Sequence, residues 1–226
     1  MTPLYEQPVL VIDPGMHTAP IHCLAVDAAG RFAVTGSADK TVRLWSVRDG
    51  ELFKTIRMPA GPDLIGKIFE VAMTRNGDLV AAAGWAHARA GVIYVIDPHR
   101  SAITSAISVG SIGADCLSLS PNGRYLAAGL GTAGLRVFDR NRQWGETFRD
   151  TSYLRGVFGI EFADDDRLFV ACKDGTIRVY DRNFKRISLG RTAISGREPE
   201  GFAVSPDGSK LALAYRDAAA VDVFDG

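Results

Sequence analysis

Short apolar segments alternate with tight polar turns along the whole chain. Segments such as Cys23–Val26 and Cys116–Leu119 alternate in hydrophobicity, and each is followed by a turn, most of which contain Gly. A second apolar run, such as Lys210–Ala214, comes directly after the turn. A period of two predicts strands, and Gly accepts the positive φ that a tight β-connection needs. The pattern therefore predicts antiparallel hairpins and no amphipathic helix.

These hairpins recur at a regular distance. Spacings of 47, 46, 43 and 42 residues separate the positions just before the turns, which are Val26, Met73, Leu119, Phe162 and Val204. Spacings of 51, 42, 42 and 44 residues separate the ends of the third strands, which are Trp45, Ile96, Phe138, Tyr180 and Phe224. Two series with one period indicate a repeat. Units of roughly 40–45 residues with four strands each are typical of β-propeller blades.

The first unit carries further signals. His17 precedes the first strand, Thr35-Gly36-Ser37-Ala38-Asp39 ends the second, and Trp45 lies near the end of the third. In this order the unit resembles the WD-repeat family, whereas the other four units lack the His and the Trp. The resemblance implies a buried hydrogen-bond network of His17, Thr35, Asp39 and Trp45. We expect the other blades to depend on apolar packing.

The fold class is therefore predicted to be all-β, a single propeller domain over residues 1–226 with five four-stranded blades. The predicted blades cover residues 17–59, 65–110, 113–150, 156–192 and 199–226. The fifth blade has only three strands before the sequence ends, and the segment 4–13 reads as an additional strand that could complete it. Two alternatives stay open here: a closed ring of five blades, or the front part of a longer propeller.

Composition and charge reduce the number of possible functions. The 26 basic and 26 acidic residues give a net charge of zero, which argues against broad binding to nucleic acid or to an anionic membrane. The three cysteines are far apart and odd in number, so a reducing compartment is the simpler interpretation. Neither a signal peptide nor a membrane span is apparent. We expect a cytoplasmic protein without a cofactor.

Three patterns that could indicate chemistry are better explained as structure. Gly129-Leu130-Gly131-Thr132-Ala133-Gly134 matches a dinucleotide-binding fingerprint, but a strand follows it where that motif needs a helix. His17, Thr35 and Asp39 could imitate a catalytic triad, but they belong to the implied network. The acidic turn at residues 164–166 lacks the Gly and the distal Glu of a calcium loop. The sequence thus predicts no catalytic residue and no metal site.

The loops offer a binding surface instead. If His17 bonds to Asp39, the loops between blades and the loops between second and third strands share one face. That face carries residue types that interfaces favour, and the candidates are Lys67, Trp85, Arg89, Tyr153, Arg155, Arg197, Glu200 and Arg216. We therefore predict a non-catalytic scaffold that binds a protein or peptide. The alternative is a ligand-binding or hydrolytic, lactonase-like propeller with its site at the central channel.

Overall fold

The predicted all-β propeller is confirmed: five antiparallel sheets surround a central channel. The computed structural model describes residues 13–86, 90–192 and 195–226. Among these residues the only helical segment is one 3₁₀ turn at Arg140–Arg142. The predicted strand 4–13 lies almost entirely outside the described residues.

Consecutive strands form each sheet, or blade. Blade 1 contains β1 (Ile21–Val26), β2 (Phe32–Ser37), β3 (Thr41–Ser46) and β4 (Leu52–Arg57). Blade 2 contains β5 (Ile68–Met73), β6 (Val80–Trp85), β7 (Gly91–Asp97) and β8 (Ala102–Gly110). Blade 3 contains β9 (Cys116–Leu119), β10 (Tyr125–Gly129), β11 (Leu135–Asp139) and β12 (Gly145–Asp150). Blade 4 contains β13 (Val157–Phe162), β14 (Leu168–Cys172), β15 (Thr176–Tyr180) and β16 (Arg186–Thr192), and blade 5 contains β17 (Pro199–Val204), β18 (Lys210–Tyr215) and β19 (Val221–Asp225).

The core consists of four apolar clusters, one between each pair of consecutive blades. Blades 1 and 2 bury Val34 against Ile68, and blades 4 and 5 bury Phe169 against Leu213. Close approach demands small residues where blades meet. A Cβ on Gly129, for example, would lie 2.4 Å from the Sγ of Cys116 and 2.8 Å from Val157.

The two ends of the propeller differ in their connections. At one end, the loops between blades bond to the loops between second and third strands, as when the Lys173 amide donates to the Gly156 carbonyl at 2.9 Å. We call this end the long-loop face. The opposite end, the short-turn face, carries the tight turns with positive φ at Gly30, Gly77, Gly123, Asp166 and Gly208. The glycine-rich segment 129–134 joins β10 to β11 of blade 3 and is also a hairpin turn. In it the Leu130 N–H donates to the Gly134 carbonyl at 2.8 Å.

In blade 1 a chain of hydrogen bonds joins the two loop classes. His17 Nδ1 lies 2.8 Å from the Asp39 carboxylate, and His17 Nε2 lies 2.7 Å from Thr35 Oγ1. The indole Nε1–H of Trp45 donates to the same Thr35 oxygen at 2.8 Å. Thr35 therefore stands at the centre of the network, because it contacts both rings.

Blade 4 combines the expected apolar packing with a polar network of its own. Tyr153 takes the place of His17 in the repeat, and Tyr180 takes the place of Trp45. The two phenol oxygens lie 2.8 Å apart, and the Tyr180 hydroxyl donates to Asp150 at 2.6 Å. Arg178 bonds to Asp150 at 3.0 Å, and its guanidinium lies 3.9 Å from the Tyr153 ring centroid.

The outward faces of the first and last blades are less buried than the interfaces between blades. Leu24 on β1 is 61% exposed, and Val221 on β19 is also 61% exposed. Alternation along each strand places every second side chain on the opposite face of the sheet. Their neighbours Cys23 and Phe224 face the adjacent blade and join the apolar clusters.

The first prediction concerns the centre of the blade 1 network. Thr35→Val keeps the shape of the buried side chain but removes the oxygen that Trp45 and His17 both contact. We expect the free energy of unfolding to fall by about 1–3 kcal/mol, because two ring nitrogens lose a partner. Urea denaturation measures the loss. Thr147→Val, on an exposed strand position, is the matched control, and equal losses in both variants would contradict the role of the network.

The second prediction concerns Asp150. Burial by itself would raise its pKa, but hydrogen bonds from Ser152 and Tyr180 and the charge of Arg178 lower it to about 2. A lowered folded-state pKa contributes stability above the unfolded value of 3.8, and this contribution disappears as the pH falls towards 2. Asp150→Asn should therefore destabilise the protein by about 2 kcal/mol at pH 7 and by much less near pH 2. Denaturation at several pH values, with Asp63→Asn as control, tests this; a constant difference would refute it.

Candidate functional site

The long-loop face displays large apolar side chains in solvent. Each of the loops that lead into the first four blades carries one, and these residues are Met16, Leu64, Ile112 and Leu154. Leu154 is 88% exposed, the highest value among the large apolar residues that the structure describes as exposed. An exposed apolar residue is ordinary when it stands alone, but four on one end of the molecule form a surface of the type that binds proteins.

Trp85 adds an aromatic side chain to this face. Its ring packs over Gly113 of the following blade, where a Cβ would lie 3.3 Å from the indole, and it remains half-buried. Together with Phe69 and Ile112 it lines a cavity of about 450 Å³. Trp85 therefore contacts the neighbouring blade and keeps part of its ring accessible.

A second cavity, of about 260 Å³, lies between blades 4 and 5. Four cationic side chains line it: Arg155, Lys173, Arg197 and Arg216. Pro199, Glu198 and Glu200 complete its wall. We call this cavity the basic cavity. Four of the eight predicted binding residues meet there, because the loops of two adjacent blades converge at this place.

Seven of the eight predicted candidates divide into three groups. Arg155, Arg197, Glu200 and Arg216 lie together at the basic cavity, whereas Trp85 and the half-buried Lys67 lie on the blade 2 side of the face. Arg89 lies outside the described residues.

Tyr153 requires a correction. It is only 7% exposed, because its hydroxyl bonds to Tyr180 and its ring stacks on Arg178, so it is a structural residue and not a surface anchor. The adjacent Leu154 takes the exposed position, and sequence reasoning missed it because an isolated Leu in a loop looks like a core residue.

Carboxylates line the central channel. Glu70, Glu161 and Glu200 border a space of about 590 Å³. Burial by the channel walls and the nearby charges of Glu161 and Asp115 raise the pKa of Glu70 to about 7. At the short-turn face Arg75 crosses the channel opening, with its Nε 2.8 Å from Asp164 of blade 4.

Among the residues with described side chains, no group of three or more His, Cys, Asp or Glu is placed to hold a metal ion. In the acidic turn at residues 164–166, Asp164 and Asp165 are exposed and each is paired with an arginine. Arg75 pairs with Asp164, and Arg167 pairs with Asp165 at 2.6 Å.

Comparison with known proteins now identifies the architecture. The family model described as "WD domain, G-beta repeat" matches residues 9–46 and 147–181. The first segment contains the blade 1 network, and the second contains the blade 4 network. The chain belongs to the WD-repeat β-propeller family.

Individual relatives extend the likeness beyond the two matched repeats. Eukaryotic translation initiation factor 3 subunit I of Meyerozyma guilliermondii is 30% identical over 171 residues, which is 68% of this chain and 47% of that protein. THO complex subunit 3 of Arabidopsis thaliana is 31% identical over 67 residues, covering 30% of this chain and 20% of that protein. This WD-repeat chain thus spans about half the length, or less, of these curated relatives.

A solved structure supports the fold alone. The β-propeller domain of Myceliophteria thermophila Cps50 (Swd1) superimposes with a TM-score of 0.74 at 16% sequence identity. The match covers 93% of this propeller and 66% of that chain. No helix in the described part of the propeller is long and apolar enough to cross a membrane.

The third prediction concerns the channel. Because the pKa of Glu70 is raised from 4.5 to about 7, the folded state holds that proton more tightly than the unfolded state does. Stability should therefore decrease as the pH rises from about 4.5 through 7. Glu70→Gln removes this loss, and we expect it to be more stable than wild type by about 3 kcal/mol at pH 8.

Thermal or urea unfolding at pH 5 and pH 8 measures the effect of Glu70→Gln. The two proteins should differ less at pH 5, where wild-type Glu70 is protonated in the folded state. Glu51→Gln, in an exposed turn, is the control. A variant that is less stable than wild type at pH 8 would show that the carboxylate contributes favourably.

Proposed function

We propose that this propeller is a non-catalytic scaffold whose long-loop face binds a partner protein. The observation that carries the proposal is the set of four exposed apolar side chains on this face, at Met16, Leu64, Ile112 and Leu154. The described turns of the opposite end expose fewer large apolar side chains. The blades beneath these loops are rigid, so the surface is presented with little loss of conformational entropy on binding.

The relatives support the same class of function. Two of them are named as subunits of assemblies, an initiation factor and the THO complex. The three cysteines are free thiols, which supports a reducing, cytoplasmic location for the scaffold.

The fourth prediction tests the face through its apolar residues. Ile112→Ser combined with Leu154→Ser should abolish the capture of specific partners, since exposed anchors contribute to binding and little to stability. Partners are quantified by mass spectrometry after affinity capture with wild type and variants. Val47→Ser combined with Ile187→Ser removes two other exposed apolar side chains away from the face and is the matched control.

The expected result is that the control keeps the partners that the face variant loses, while both variants unfold at similar temperatures. If the control loses the same partners, or if the face variant keeps all of them, the long-loop face is not the binding surface.

A further inference from the structure

The charges of the two faces are organised differently. On the short-turn face, five of the arginines lie within 3.6 Å of a carboxylate; they are Arg31, Arg75, Arg100, Arg124 and Arg167. At the basic cavity, by contrast, no carboxylate of the described residues lies within ion-pair distance of Arg155, Lys173, Arg197 or Arg216. These four cations are therefore available to a ligand.

The acidic residues near the cavity offset only part of its charge, and the backbone amide of Glu198 together with the charge of Arg197 lowers the pKa of Asp217. Asp217 is engaged by main-chain donors, because it accepts hydrogen bonds from the amides of Arg197 and Glu198 at about 3.0 Å. Among the side chains that line the cavity itself, four are positive and two, Glu198 and Glu200, are negative. Since the whole chain is neutral, this excess is local.

We propose that the basic cavity binds an acidic segment of a partner protein, with an apolar side chain of that segment packed on Leu154. This inference rests on the proposed function and names the chemistry of the partner. Guanidinium groups bind carboxylates through paired donors, and three of the four cations are arginines. Leu154 directly precedes Arg155 in the same loop, so the apolar and the charged contacts are adjacent.

A peptide fits these observations better than a nucleic acid does. Two carboxylates in the wall would repel a continuous phosphate backbone, whereas a peptide can place its acidic residues selectively. The adjacent Leu154 offers a contact for an aliphatic side chain. Phosphate binding also needs an extended basic track, and four cations around one cavity of about 260 Å³ do not provide one.

The test uses three fluorescent probes and the full chain. The first is a twelve-residue peptide with six Glu and two Leu residues, the second replaces each Glu with Gln, and the third is a twelve-nucleotide poly-U RNA. Binding is followed by fluorescence anisotropy at low and at high NaCl concentration. We expect the acidic peptide to bind at least about tenfold more tightly than the Gln peptide, and salt to weaken its binding.

Charge reversal then locates the site. Arg155→Glu with Arg197→Glu should weaken binding of the acidic peptide at least about tenfold. Arg48→Glu with Arg182→Glu makes the same change in net charge on the short-turn face and should leave the affinity close to that of wild type. Circular dichroism and the unfolding temperature verify that both variants are folded.

The outcomes separate this inference from the proposed function. Equal affinity for the Glu and Gln peptides, equal losses in the two double variants, or tighter binding of the RNA at this cavity would each overturn the acidic-segment assignment. The scaffold proposal would still stand in those cases if Ile112→Ser with Leu154→Ser abolishes partner capture. Retention of every partner by that apolar variant would instead refute the scaffold proposal itself.

Discussion

Each sheet of the propeller has two apolar faces, and only a neighbouring sheet can cover them. The four apolar clusters each draw residues from two consecutive blades, so no described blade has a core of its own. This constraint fixes the order of the blades around the channel and brings their loops to common ends. The surface at the long-loop face exists because five separate connections are held side by side by packing beneath them.

The architecture could be predicted from the sequence because it depends on period and turn chemistry. Both series of spacings predicted strands and turns that the structure contains. The sequence signals of blade 1 identified side chains that form hydrogen bonds with one another. The blade 4 network escaped prediction, since Tyr153 and Tyr180 do not resemble the His and Trp that they replace. Only the structure shows that an Asp, an Arg and two Tyr side chains form a buried hydrogen-bond network at the equivalent positions.

The sequence predicted the location of the candidate site better than it predicted which side chains form it. Arg155, Arg197 and Arg216 meet because the loop classes meet, which follows from topology alone. Whether a loop side chain points outwards depends on local packing, and a sequence pattern does not record it. Thus Tyr153 was expected at the surface and is buried, while its neighbour Leu154 is exposed. The channel carboxylates were missed for a similar reason, since residues inside an inner strand alternate between the channel and the blade interfaces.

Arg75 gives the propeller a property that a linear array of repeats lacks. In a linear array each repeat interacts with its neighbours alone, so unfolding can begin at an end and advance one unit at a time. Arg75 of blade 2 instead reaches across the channel to Asp164 of blade 4 and to the Pro206 carbonyl of blade 5. A bond of this kind contributes at most about 1 kcal/mol, but it couples blades that share no interface. The sheets therefore gain cooperativity across the axis as well as around it.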